Sequence, residues 1–169
     1  QTSGGNMSNS NHLVVKDKVQ RFAKQFFNIV SLDDDGDLSI PFESTHIHVS
    51  VYDNQSNDEE VLAFRKENDI SSTIVMVWAM VLINVKPSPD LYKWVATEGQ
   101  TYDYGGFRVV VNDKGLCNLI FQYNLPGDTI DAGELKNALA CVGFSANGED
   151  ENLQSKFGGT RVTEVRDNS

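Results

Sequence analysis

Residues 15–30, VKDKVQRFAKQFFNIV, place Val15, Val19, Phe22, Phe26, Ile29 and Val30 on one stripe at helical spacing, which predicts an amphipathic helix. The acidic stretch SLDDDGDLSIPFE, residues 31–43, closes that helix as a turn rich in Asp and Gly. HIHVSVYD, residues 46–53, then alternates. Ile47, Val49 and Val51 face one way, and His46, His48, Ser50 and Tyr52 the other, the period of a half-buried strand. NQSND is a polar turn, and EEVLAFRKE, residues 59–67, is expected as the hairpin partner of that strand. The run 72–85 is different in kind. Ile74, Met76, Trp78, Met80 and Leu82 line one face, and Val75, Val77, Ala79, Val81 and Ile83 the other, so this strand is apolar on both sides.

The second half begins with KPSPDLYKWVATEGQ. Ser88 reads as an N-cap with Pro89 in the first helical turn, and Gly99 as the stop. FRVVV (107–111) and LCNLIFQYN (116–124) flank NDKG as a second hairpin. Asp131 followed by Glu134 is a capping box opening a last helix with Leu135, Leu139, Val142 and Ala146 on its stripe. Gly143 and Gly148 weaken its middle by about 1 kcal/mol each relative to alanine, and the paired glycines 158–159 end it. The predicted fold class is α+β: an antiparallel five-stranded sheet with three helices, in the order α-β-β-β-α-β-β-α. The predicted organisation is a disordered, tag-like segment at 1–10 with Met7 as the natural start, one domain over 11–159, and a polar tail at 160–169.

Composition narrows the function classes. At 169 residues, with 40 % hydrophobic and 22 % charged residues, the chain suits one globular domain. A net charge of −10 and the lack of a basic patch argue against a nucleic-acid partner. The most apolar run, IVMVWAMVLI, is too short to cross a bilayer as a helix, so no membrane role is expected. No secretory signal is read, and a cytoplasmic protein is expected. Cys117 and Cys141 lie in apolar surroundings without a CxxC spacing and are expected as two buried free thiols.

Candidate chemistry is sparse, and no catalytic residue, metal site or cofactor is assigned. With Gly36 in the sixth position of an EF-hand loop, Ser31 falls first and Phe42 twelfth, and neither is the carboxylate that calcium needs there. His46 and His48 point from one strand face and could supply two metal ligands. A third is offered only by distant His12 or unspecified carboxylates, so two polar residues on a solvated face is the preferred reading. There is no G-x-S-x-G, G-x-G-x-x-G or P-loop.

Three segments together carry a family resemblance: DGDL before the first long strand, FQYNLPGDTIDAGELKNAL at the last strand and helix, and LQSKFGG near the end. They resemble the YbjN-like proteins, uncharacterised actinobacterial members especially, and that family is similar in fold to the type III secretion chaperones. The resemblance spans most of residues 15–159. It implies a small cytoplasmic α+β domain, often dimeric, that binds peptides or partner proteins and does not catalyse a reaction. Gly143, Phe144 and SANGEDEN depart from it and are expected to interrupt a last helix that is continuous in relatives.

The two-sided apolar strand is the most informative feature. Either the helices cover both faces, or a second subunit or bound peptide covers one. The leading expectation is a non-enzymatic, chaperone-like protein- or peptide-binding module, a homodimer, whose contact residues are Met76, Trp78, Met80, Trp94 and Ile120. The alternative is a small-molecule-sensing regulatory domain with a pocket between helix and sheet. A hydrolase or metalloenzyme around His46 and His48 ranks third.

Overall fold

The structure, a computed structural model, describes residues 7–166. In chain order the elements are α1 (Met7–Phe26), β1 (Ser31–Leu32), β2 (Leu38–Phe42), β3 (Thr45–Asp53), α2 (Glu59–Glu67), β4 (Thr73–Val85), α3 (Pro89–Ala96), β5 (Gly106–Val111), β6 (Cys117–Pro126), α4 (Ala132–Phe157) and α5 (Val162–Arg166). The strands form one antiparallel sheet in the order β1-β2-β3-β4-β6-β5. The α+β class stands, but the described residues hold six strands and five α-helices where the sequence predicts five and three.

The largest correction is residues 59–67, which are helix α2 and not a strand. The Asp58 carboxylate caps the N–H groups of Glu60 and Val61. Glu59 and Glu60 sit at the positive end of the helix, and Arg65 and Lys66 at the negative end. The partner of β3 in a tight hairpin is instead β2, across the turn at Glu43 and Ser44. The acidic stretch joins β1 to β2, both missed by the alternation test because they are so short. There the Asp33 carboxylate accepts from the N–H groups of Asp35 and Asp37. Pro41 is tolerated because β1 pairs only as far as Ser31 and Leu32, leaving that end of β2 an edge.

The last helix is also corrected. Helix α4 runs unbroken through Gly143 and Gly148 over 26 residues. At Gly143 this helix comes close to the sheet: a Cβ there would lie 2.8 Å from the Phe42 ring and 2.9 Å from Ile47 Cδ1. The expected capping box of Asp131 and Glu134 is present. Gly158, at φ 73°, ends the helix. Residues 160–166 are not a loose tail: Ile83 and Thr160 exchange two backbone hydrogen bonds of 2.8 Å, and α5 follows, while residues 167–169 of the expected tail lie outside the described residues. At the other end α1 already includes Met7–Ser10 of the segment expected to be disordered, while residues 1–6 lie outside the described residues. In α3 the Ser88 cap and Pro89 are as expected. The stop comes earlier, at Ala96, and Gly99 sits in a 3₁₀ turn against the Trp94 ring.

Helices α1, α3 and α4 lie on one side of the sheet, with α4 across β3, β4 and β6 and α3 against β5. That side is the core. Val75, Val77 and Ala79 of β4 are fully buried there, with Leu135, Leu139 and Val142 of α4 and Val15 and Val19 of α1. Cys117 is buried in it, whereas Cys141 is only half-buried, a correction to the expected pair of buried thiols. Among the described residues no helix is long and apolar enough to cross a membrane.

Candidate functional site

The other side of β4 carries Ile74, Met76, Trp78 and Met80, all of them half-buried. Antiparallel register sets their neighbours. Tyr52, Ser50 and His48 of β3 stand opposite Ile74, Met76 and Trp78. Asn124, Gln122 and Ile120 of β6 stand opposite Met76, Trp78 and Met80. The result is an apolar stripe one strand wide, bordered by polar side chains.

Trp78 is the fixed point of that stripe. Its indole N–H donates to Ser50 Oγ at 3.1 Å. The His48 ring stacks on it with centroids 4.4 Å apart and planes 17° from parallel. Ser50 in turn donates to Asp37 Oδ2, and His48 Nδ1 lies 3.3 Å from Asp33 Oδ2. The acidic turn thus holds the two β3 side chains that hold Trp78. Burial alone would raise the Asp33 carboxyl, but the N–H groups of Asp37 and Asp35 and the His48 ring outweigh it and hold its pKa below the usual carboxylate value.

The stripe continues off the sheet. A hollow of about 460 Å³ is lined by Ile70, Ile74, Leu125 and Pro126. A second, of about 470 Å³, is lined by Val61, Phe64 and Ile70. Ile70 is common to both, so the two make one trough from α2 to the start of β4. Its walls are open to solvent: Phe64 is 60 % and Ile70 47 % exposed. Helix α2 buries none of its own residues.

The structure brings together four of the five contact residues expected from sequence. Met76, Trp78 and Met80 share the stripe, and Ile120 meets Met80 across the β4–β6 pairing. Ile120 is only 6 % exposed, although it stands apart from the main core. Trp94 is not with them. It lies on the helix-covered side, its ring 5.0 Å from Phe107 and 6.0 Å from Phe157. The sequence reading missed Val61, Phe64 and Ile70 because it made 59–67 a strand; the i, i+3 spacing of Val61 and Phe64 behind an Asp cap was the available signal. His48 is engaged with Trp78 and Asp33, and His46 Nδ1 lies 3.0 Å from the Thr45 carbonyl oxygen. Among the described residues no group of three or more His, Cys, Asp or Glu is placed to hold a metal ion.

Comparison with known proteins agrees with this architecture. In the crystal structure of the ExsC–ExsE complex the similar chain shares 14 % identity and a TM-score of 0.51, covering 83 % of this chain and 93 % of its own length. A chain in the crystal structure of the Yersinia pestis type III secretion chaperone SycH, in complex with a stable fragment of YscM2, shares 9 % identity at a TM-score of 0.48, covering 79 % of this chain and 98 % of its own. The first of these supports the fold. A search of curated proteins gives no match. The family model TY-Chap1, described as T3SS (YopN, CesT) and YbjN peptide-binding chaperone 1, matches residues 57–165. That span runs from the cap of α2 into α5 and covers more than half of the chain, and the protein therefore belongs to this family of peptide-binding chaperones.

Proposed function

We propose that the protein is a non-enzymatic, cytoplasmic, chaperone-like module that holds a segment of another polypeptide against the uncovered face of its sheet. One observation carries the reading. The central strand is as apolar on its uncovered side as on its buried side, and α1, α3 and α4 pack only on the latter. Contiguous apolar surface of this kind marks contact with another macromolecule. The stripe of Ile74, Met76, Trp78 and Met80, extended by the trough to Val61 and Phe64, is long and narrow, the shape of a peptide. Methionines adapt to varied side chains, and Trp78, held in place by Ser50 and His48, supplies a rigid anchor. ExsC was crystallised with a protein partner, ExsE, which supports the same role here.

The small-molecule sensor fits less well. It calls for an enclosed pocket between helix and sheet, whereas the apolar trough runs along the margin of the sheet with half-exposed walls. The test is selection of binding peptides from a random library on the intact protein. Selected peptides should lose affinity on Met76→Asp with Met80→Asp while circular dichroism stays unchanged; binders indifferent to both substitutions would sink the proposal.

Self-association has its own supporting observation. A nine-residue helix that buries nothing gains little from propensity alone, and α2 exposes Val61, Leu62 and Phe64. Cover from a second copy would stabilise it, giving the homodimer. Light scattering on the wild type and on Leu62→Glu with Phe64→Glu tests this: a dimer that dissociates in the variant is expected, and a wild type monomeric at all concentrations rejects it.

A further inference from the structure

On the helix-covered side, where β4 ends and α3 begins, lies a cleft of about 390 Å³ that has no part in the open face. Lys86 on the β4–α3 connection, Lys93 on α3 and Lys156 near the end of α4 converge on it. Trp94 and Phe157 also line it, and the Lys156 ammonium lies 6.0 Å and 5.4 Å from their ring centroids. Two carboxylates border it as well. Glu98 pairs with Lys156 at 3.9 Å, which leaves Asp90 facing two lysines. Among the described residues Lys86 and Lys93 make no ion pair. Ser88 accepts from the Leu91 N–H, so its own hydroxyl proton is free for an incoming acceptor.

This is a local excess of cation on a chain whose net charge is −10. Acidic polypeptide is repelled by the surface at large and attracted here. Aromatic walls beside ammonium groups suit a ligand with an apolar part next to an anionic one, and the volume lies near the lower end for ligand sites. The cleft is also on the way round the molecule: β5 is the edge strand, and α3 packs against it, so a segment leaving the open face over the β5 edge meets α3 next.

We propose that the cleft lined by Lys86, Lys93, Trp94 and Phe157 is a second docking site, which takes an acidic segment of the client carrying an apolar residue beside its carboxylates. The proposal rests on the peptide-binding reading above and adds the charge and place of a second anchor.

The two tryptophans of the chain make the two sites separately visible. In full-length Trp78→Phe the remaining indole is Trp94 in the cleft; in full-length Trp94→Phe it is Trp78 on the open face. The probe is a capped peptide alternating leucine and aspartate, with a leucine–lysine peptide as its counterpart. In Trp78→Phe the acidic peptide should shift Trp94 emission saturably, the basic one should not, and high salt should weaken the response. Adding Lys86→Glu and Lys93→Glu should weaken binding roughly tenfold, as expected for reversing two exposed charges. No saturable Trp94 response, equal binding of both peptides, indifference to the two lysine substitutions, or the same response to inorganic phosphate alone would each overturn the proposal. A Trp78 response in Trp94→Phe without any Trp94 response in Trp78→Phe rejects the cleft and leaves the chaperone reading standing. Silence from both rejects both.

Discussion

The two faces of β4 have nearly the same chemistry and opposite surroundings. On one, Val75, Val77, Ala79 and Val81 are sealed beneath α1 and α4. On the other, Ile74, Met76, Trp78 and Met80 are half-buried, sheltered only by their strand neighbours. The residue types differ in a telling way. Small and β-branched side chains face the helices, where close approach of α4 needs them. Apart from Ile74, long, flexible or wide ones (Met76, Trp78, Met80) face outward, where there is room to adapt. Apolar character on the first face stabilises the fold, and on the second it stays partly open to solvent.

A matched pair of charges is the most direct way to break this comparison. Val77→Asp places a carboxylate in the sealed layer and should cost more than about 4 kcal/mol, enough to prevent folding. Met76→Asp, one residue away on the open face, should change stability by under about 1 kcal/mol. Thermal unfolding followed by circular dichroism compares the two, and equal losses would mean that the faces do not differ as described. Trp78→Ala should cost a bound peptide about 2 kcal/mol, read by titration calorimetry, since a held aromatic at the centre of a contact is a typical hot spot.

The next test concerns the ends of the strand. Burial alone would raise the Asp128 carboxyl, but bonds from the Thr73 hydroxyl and from the N–H and hydroxyl of Ser72 outweigh it and hold its pKa below the usual value. A lowered folded pKa stabilises the protein above the unfolded pKa, near 4 for Asp, and that stability is lost as pH falls through the folded value. Asp128→Asn should therefore cost about 1–2 kcal/mol at neutral pH. The difference from wild type should shrink on acidification through that range, as denaturant titrations at several pH values would read. A difference that grows on acidification contradicts the assignment.

Smaller effects sharpen the picture. Gly143→Ala gains about 1 kcal/mol of helix propensity but drives a methyl into Phe42 and Ile47, a clash of about 1–3 kcal/mol. A net loss of roughly 1 kcal/mol in the unfolding midpoint analysis is expected, and a gain would show that α4 can move off the sheet. Phe64→Ser, on a helix that buries nothing, should leave monomer stability within about 0.5 kcal/mol. Its effect should appear only in peptide binding or self-association.

How much of this was legible depended on the length of the signal. The alternation of Ile47, Val49 and Val51, the two-sided run from Ile74 to Met80, and the caps at Ser88 and Asp131 are local patterns, and each is found where the sequence places it, whereas a bulge after Met80 turns Leu82 from the open face into the core. Residues 59–67 were misread because a helix with no buried face carries only a short stripe, here Val61 and Phe64 behind the Asp58 cap. Strands of two and five residues around Asp33 are too short for alternation to register. The glycines of α4 suggested a break because propensity treats each glycine as a cost, whereas Gly143 is explained by a contact with Phe42 and Ile47, about a hundred residues away.

The sequence by itself determined that β4 is apolar on both sides, because periodicity is a property of neighbouring residues, and its DGDL, FQYNLPGDTIDAGELKNAL and LQSKFGG segments carried the resemblance to peptide-binding relatives. Tertiary structure alone decided which side is covered, that Ile120 joins Met80, that Trp94 is buried on the helix-covered side, and that three lysines meet at one cleft. Those facts depend on how distant segments pack, and a single chain's pattern contains no coordinate for that.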